Sequence, residues 1–155
     1  MGTSKLSETA YRTAESELVA DRFGFLVAEY GFQCKQGGVA SDFTFKCTKQ
    51  SVRVDVTFAP PELPYLAVSL LQDRQLTSYT FSPAKSSSAR SARTKYYKLI
   101  DAKGFHEDAL ELAGDFIGIQ TVALRRFLER FSGTADFAPG DPWRKARRTL
   151  PATRR

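Results

Sequence analysis

The stretch that decides the fold is SDFTFKCTKQSVRVDVTF, residues 41–58. Large apolar side chains alternate with polar ones on both sides of the dipeptide Lys49-Gln50. A period of two with one apolar face is typical of antiparallel strands that cover a core on one side and meet water on the other. The stretch therefore predicts a β-hairpin, with strands at residues 41–48 and 51–58.

The expected turn also fixes which side chains face each other across the hairpin. A turn at Lys49-Gln50 places Phe45 opposite Val54 on the apolar face and Lys46 opposite Arg53 on the polar face. Like charges directly opposite each other destabilise a sheet. Lys46 and Arg53 are therefore a candidate binding spot for an anion or an acidic partner. The alternative is that these two long side chains simply spread into water.

Two further strand-like runs flank the hairpin. Residues 32–36 form a short run before the turn Gly37-Gly38, and residues 65–71 alternate again. Prolines at 60, 61 and 64 separate the last run from the hairpin, because proline cannot donate to a strand ladder. The expected sheet is a four-stranded antiparallel meander.

Helical periodicity appears at both ends of this strand region. Apolar residues recur at helical spacing over residues 13–30, and Gly31 is a suitable stop. Residues 107–131 carry a wide apolar stripe, with acids in the first turn and arginines in the last, as the helix dipole favours. The predicted fold is a two-layer α+β domain: an N-terminal helix, the meander, a long loop and a long C-terminal helix packed on one sheet face.

The domain is expected to cover residues 13–133. A flexible N-terminus, residues 1–12, precedes it, and a basic tail, residues 134–155, follows it. Residues 72–92 lack a clear period and contain a serine-rich run, so they are predicted to form an exposed loop. A short helix is expected over residues 95–102.

Composition excludes several classes of protein. With 155 residues, 42% hydrophobic and 26% charged, the chain is neither a wholly disordered protein, nor a collagen, nor a disulfide scaffold. No apolar run approaches the ~20 residues of a membrane span, and no signal peptide opens the chain. We therefore expect a soluble cytoplasmic protein with no membrane partner. In that compartment we expect no disulfide, and Cys47 is expected to act as a small core hydrophobe.

Residues that could carry chemistry are few. His106 is the only histidine, and its position at a predicted helix start is typical of a helix-entry residue. Cys34 and Cys47 lack the spacing of a metal site, and no glycine-rich loop has the spacing of a phosphate cradle. We predict no catalytic residue, no metal and no cofactor. The alternative is an enzyme that uses His106, which would require a cleft around that residue.

The net charge of +6 is concentrated in two segments. Residues 85–98 hold five basic residues and no acid, and residues 141–155 hold six basic residues and one acid, so each segment carries +5 and the rest of the chain carries −4. Such segments suit an acidic protein surface or nucleic-acid phosphates, although charge runs also commonly serve only as solvated surface. The candidate binding residues in these segments are Arg90, Arg93, Lys95, Arg144, Arg147 and Arg148.

The run FLVAEYGF, residues 25–32, followed by short alternating strands, resembles small uncharacterised bacterial proteins. Several of these look like immunity proteins of polymorphic toxin systems. The resemblance covers about the first seventy residues and implies an α+β domain that binds another protein and does no chemistry. The resemblance identifies no catalytic or binding residue in this chain.

The leading hypothesis is therefore a non-enzymatic protein-binding module, immunity-like, whose partner has an acidic surface. The alternative is a small nucleic-acid-binding accessory protein that uses the basic loop and tail.

Overall fold

A computed structural model of the chain describes residues 5–37, 43–59, 62–131 and 139–149. In chain order its elements are α1 (Glu8–Arg22), α2 (Phe25–Ala28), β1 (Gln33–Gly37), β2 (Phe43–Lys49), β3 (Val52–Phe58), β4 (Tyr65–Gln72), β5 (Gln75–Phe81), a 3-10 turn (Pro83–Lys85), α3 (Ser87–Lys103), α4 (Glu107–Arg130) and β6 (Trp143–Thr149). None of the helices in these described ranges is long and apolar enough to cross a membrane.

The strands form one six-stranded antiparallel sheet in the order β1-β2-β3-β4-β5-β6. The α+β class is thus confirmed, and the four expected strands appear as β1 to β4. The expected strand count is wrong, because β5 and β6 extend the meander. Helices α3 and α4 lie between these last two strands in the sequence, so β6 returns to the sheet edge only after both helices.

The β2–β3 hairpin turns one residue later than expected. Lys49 pairs with Val52, and Gln50 adopts a left-handed φ of 54° within the turn. Phe45 consequently faces Val56, and Lys46 faces an acid, Asp55. The expected Lys46–Arg53 pairing is therefore wrong, because the shifted register replaces a repulsive pair with an attractive one.

The expected exposed loop at residues 72–92 is replaced by ordered elements. A two-residue turn at Asp73-Arg74, with φ of 48° and 64°, joins β4 to β5; two positive φ values suit the twist of a tight hairpin. The Ser86 side chain then accepts a hydrogen bond from the Ala89 backbone N–H and caps α3. The serine-rich run is the start of a helix, and the expected short helix is its second half.

The described parts of the two predicted end segments, residues 1–12 and 134–155, are also more ordered than expected. Within residues 1–12, the described part from residue 5 onward enters α1, whose first turn is capped by Ser7, and Tyr11 is fully buried. Within residues 134–155, β6 pairs with β5 along seven residues. Residues 1–4, 134–138 and 150–155 of these segments lie outside the described ranges. Buried Trp143 holds β6 against Phe81 and Phe127.

The core lies between the helices and one face of the sheet. On α4, Phe116 packs edge-on against Phe81 and Phe127 packs against Tyr79, so this helix covers the sheet as expected. The expected single N-terminal helix instead breaks at Phe23-Gly24 into α1 and α2. The contacts of α4 with Phe81 and Tyr79 show that the large buried side chains of the sheet point to the side that the helices cover.

Cys34 and Cys47 form a disulfide that the sequence analysis did not expect. They lie directly opposite each other in the β1–β2 pairing, with 4.0 Å between their Cα atoms. The expectation of reduced cysteines is wrong in this structure, because the pairing of β1 brings the two side chains to the same side of the sheet. The bond ties the edge strand β1 to β2.

Candidate functional site

The sheet face turned away from the helices is the first part of the candidate site, and we call it the open face. Its centre holds small side chains, Ala67, Ser69 and Ser78, and the Ser69 and Ser78 hydroxyls lie 3.4 Å apart. Tyr65 stands on this face with 57% of its surface exposed. The result is a flat platform on which one aromatic ring projects.

Positive charge dominates the open face. One cross-strand row runs Lys35, Lys46, Asp55, Ala67, Thr80, Arg144 from one edge of the sheet to the other. With Arg53 and Arg148 added, the face carries five cations and one acid. The Arg53 Nε donates to the Asp55 Oδ2 at 2.8 Å, so the one acid is already paired.

A groove at one end of the open face brings the two basic segments together. We call it the basic groove. It has a volume of about 720 Å³ and is shared by the ends of β4, β5 and β6 and by α3. Arg93 of α3 lines it together with Arg144 and Lys145 of β6, and Glu62 is the only acid among the described residues of its lining. Its aromatic residues include Tyr65 and Tyr97.

Hydrogen bonds fix the walls of the basic groove. The Tyr97 hydroxyl accepts a hydrogen bond from the Leu63 backbone N–H at 3.1 Å, which holds α3 against the start of β4. Buried Gln120 of α4 donates to the Pro64 carbonyl at 2.8 Å. The Lys85 ammonium donates to the Trp143 carbonyl at 3.2 Å and holds the start of β6. These hydrogen bonds tie α3 and α4 to the segment before β4, and the turn before α3 to the start of β6.

The other two candidate cations of α3, Arg90 and Lys95, lie outside the basic groove. The Arg90 guanidinium donates to the Ala84 carbonyl and braces the turn before α3. Lys95 lies two residues from Arg93, which on an α-helix corresponds to the opposite side, and it does not line the groove. Of the three cations expected from this segment, only Arg93 contributes to the basic groove.

The candidates from the expected basic tail lie on both sides of β6. Arg144 and Arg148 project on the open face, opposite Thr80 and Leu76 of β5. Arg147 projects from the opposite face of β6. Burial raises the pKa of Tyr79, and the positive charge of Arg147 partly opposes that rise. Lys46 and Arg53 are on the open face but outside the basic groove, about four and three strand spacings from Arg144, or roughly 19 and 14 Å.

Tyr65, which lines the basic groove, was not singled out in the sequence. Lys145 belongs to the same basic run as Arg144 and lines the groove with it. Tyr65 occupies the outward phase of β4, where an alternating pattern places an exposed ring. Arg93 and Arg144 meet only through the pairing of β6 with β5, for which the sequence carries no local signal.

Two features of the described ranges bear on catalysis and metal binding: the position of His106 and the arrangement of possible metal ligands. His106 caps α4, and its Nδ1 accepts a hydrogen bond from the Asp108 backbone N–H at 3.1 Å, which confirms its role as a helix-entry residue. Within the same ranges, no group of three or more His, Cys, Asp or Glu residues is arranged to hold a metal ion.

One buried carboxyl lies apart from the basic groove. Glu15 of α1 is fully buried, and neither of its oxygens has a hydrogen-bond partner among the described residues. Burial raises the pKa of this carboxyl from 4.5 to about 8. Beside it, the Tyr11 and Tyr96 hydroxyls lie 2.7 Å apart, and burial raises the pKa of both phenols. Burial favours a neutral Glu15, and the Tyr11–Tyr96 hydrogen bond beside it joins α1 to α3.

A second groove, on the helix side, is slightly larger, at about 770 Å³. Its charged lining is mixed: Arg22, Arg126 and Arg130 with Asp115 and Asp141. It contains none of the candidate binding residues predicted from the sequence, and its acids offset much of its positive charge. The basic groove is therefore the better candidate for a binding site, since its charge has one dominant sign and it opens onto the flat platform.

No protein-family model, no curated protein and no solved structure matches this chain.

Proposed function

We propose that this chain is a non-enzymatic protein-binding module, and that an acidic surface of its partner docks on the basic groove and the adjoining open face. The observation that carries the proposal is the meeting of Arg93 with Arg144 and Lys145 around one groove. These cations come from the two segments that account for the chain's net positive charge.

Complementary charge would act first on the encounter between the two proteins. Unlike charges across an interface raise the association rate and align the partners, and this effect weakens with salt. The small side chains of the open face let a partner approach the sheet closely. Tyr65 offers a large exposed ring beside the groove, and tyrosine is enriched among residues that dominate binding energy.

The immunity-like version of the proposal adds that the partner is a toxin. It is supported by the resemblance of residues 25–32 to immunity-like proteins, and an acidic patch on the toxin is the surface it would require. The Cys34–Cys47 disulfide favours an oxidising compartment for this encounter, against the cytoplasmic location expected from the sequence.

A nucleic-acid partner is the second candidate, and it is favoured by the tyrosines that line the groove beside its cations. Bases stack on aromatic rings while cations hold the phosphates. However, Tyr97 is half-buried and its hydroxyl is engaged by Leu63, so Tyr65 is the groove tyrosine with a widely exposed ring. A single exposed ring is a small stacking platform, and the protein partner is therefore preferred.

Capture with matched charge variants tests the proposal. The immobilised chain is incubated with lysate of the cells that encode it, and captured proteins are quantified by mass spectrometry. The groove variant is Arg93→Glu with Arg144→Glu. The control is Lys95→Glu with Lys98→Glu, which changes the net charge equally at exposed positions of α3 that lie outside both the groove and the open face.

We expect one protein that the wild type and the control capture equally and that the groove variant captures at least about tenfold less. Equal capture by all three proteins, or capture of none, contradicts the proposal. The alternative replaces it if a labelled oligonucleotide binds the wild type with a steep salt dependence and loses binding in the groove variant while protein capture is unchanged.

Co-expression tests the toxin version separately. If the captured protein arrests growth when expressed alone, the wild-type chain should restore growth and the groove variant should not. Failure of the wild type to restore growth removes the toxin version and leaves protein binding standing.

A further inference from the structure

We propose that the partner contributes an extended acidic segment that adds to β6 as a seventh strand of the sheet. This inference rests on the proposed function, since it specifies which element of the acidic partner binds. The strand β6 borders the basic groove through Arg144 and Lys145, so the same partner can occupy both.

The outer edge of β6 is available for pairing. It is the last strand in the sheet order, and no described strand pairs with its outer side. Six of its seven residues are exposed, and buried Trp143 at its start holds it in place. A strand at a sheet edge presents backbone N–H and C=O groups that an extended peptide can pair with.

The side chains of β6 define the peptide that fits. The run Arg144, Lys145, Ala146, Arg147, Arg148 places two cations on each face of the strand, with one small residue between the pairs. Its charge pattern is the same in both directions. Residues directly opposite on neighbouring strands have Cβ atoms about 5 Å apart, so acids at the facing positions would meet a cation on either face. The matching segment is acid-acid-small-acid-acid.

Protection against aggregation does not account for this amount of charge. Exposed edge strands commonly carry a lysine that blocks pairing with other chains. The opposite edge strand β1 meets that need with Lys35 as its only charged residue. β6, which is also an edge strand, carries four cations and no acid. The excess favours pairing with an acidic strand over simple repulsion of other edges.

Backbone methylation of a probe peptide separates strand addition from charge attraction. The probe is a fluorescent Thr-Glu-Glu-Ala-Glu-Glu-Thr peptide, and its affinity is measured by fluorescence anisotropy. Two further versions carry N-methyl groups on alternate residues, one version for each alternate set. All three peptides have identical charge. In an added strand, only one set of amides points toward β6, and the other points to water.

We expect one methylated peptide to bind at least about tenfold more weakly than the parent and the other to bind as the parent does, because only one loses its ladder hydrogen bonds. The variant Arg147→Glu with Arg148→Glu should weaken binding of the parent peptide similarly, and the Lys95→Glu, Lys98→Glu control should not. Equal binding of all three peptides overturns strand addition and leaves acidic docking intact. No binding of the parent peptide also overturns it, while the capture experiment still decides the proposed function.

Discussion

Glu15 provides the sharpest test of the packing between the helices, because its charge state is tied to the folded structure. The perturbation is Glu15→Gln, which keeps the shape and removes the ionisation. In the folded chain the pKa of Glu15 is raised to about 8 from an ordinary 4.5. The folded state therefore holds a proton that the unfolded state releases between these two values.

This difference in bound protons determines whether the free energy of unfolding rises or falls with pH. Where the folded state binds more protons than the unfolded state, the free energy of unfolding falls as the pH rises. The stability linked to neutral Glu15 is fully present below about pH 4.5 and is lost as the pH rises to about 8. One pKa unit corresponds to 1.36 kcal/mol, so the total is roughly 5 kcal/mol, of which about 3 falls between about pH 5 and pH 8.

Urea unfolding of wild type and Glu15→Gln at several pH values measures this effect. The stability of the wild type minus that of the variant should fall by about 3 kcal/mol from about pH 5 to about pH 8. Glu17→Gln, at an exposed position of the same helix, is the matched control for removing one acid. A stability difference between wild type and the Glu15→Gln variant that stays flat with pH would refute the burial of an unpartnered carboxyl between α1 and α3.

Three further predictions concern elements that hold the sheet and helices together. Alkylation without reductant should label neither Cys34 nor Cys47, and reduction should expose both thiols and lower the stability by about 3 kcal/mol, the chain-entropy value for a separation of 13 residues; labelling of the unreduced protein would contradict the disulfide. Trp143→Ala should cost about 3–5 kcal/mol in urea unfolding, because β6 loses its buried anchor; a loss below about 1 kcal/mol would contradict the pairing of β6 with the sheet. Arg125→Met should lower the melting temperature, because its guanidinium lies 4.0 Å over the Phe25 ring and forms two hydrogen bonds with Glu29; an unchanged melting temperature would show that this contact does not hold α2 against α4.

Strands with a strong apolar alternation could be predicted from the sequence, and those without it could not. β2 and β3 alternate bulky and polar residues, so their faces were assigned correctly even though the turn was misplaced by one residue. β6 has Trp143 as its only large apolar residue and otherwise resembles a charged tail. Its strand structure depends on pairing with β5, about seventy residues earlier in the chain.

Turn chemistry explains the other errors in the fold. β5 was missed because its hairpin turns on Asp73-Arg74, and neither residue is the glycine that usually marks two left-handed positions. α3 was shortened because serines near its start favour loops as readily as helix caps. The disulfide was missed because the Cys34–Cys47 pair depends on the register between β1 and β2.

The candidate site, like the fold, could be predicted only in part from the sequence. Its cations were visible in the sequence as two basic segments, but a run of charge does not show where each side chain points. Helical geometry sends Lys95 away from Arg93, and strand alternation separates Arg147 from Arg148. Only the pairing of β6 with β5 brings Arg144 to the same groove as Arg93.

The most direct test of the binding surface is a titration of isotopically labelled protein with the Thr-Glu-Glu-Ala-Glu-Glu-Thr peptide, followed by backbone amide chemical shifts. We predict that the largest shift changes fall on β6 and on α3 around Arg93, with little change on α1 and on residues 122–130 at the end of α4, which do not line the groove. Changes centred on those two regions, or changes spread evenly over all cationic residues, would contradict a binding surface built from the basic groove and β6.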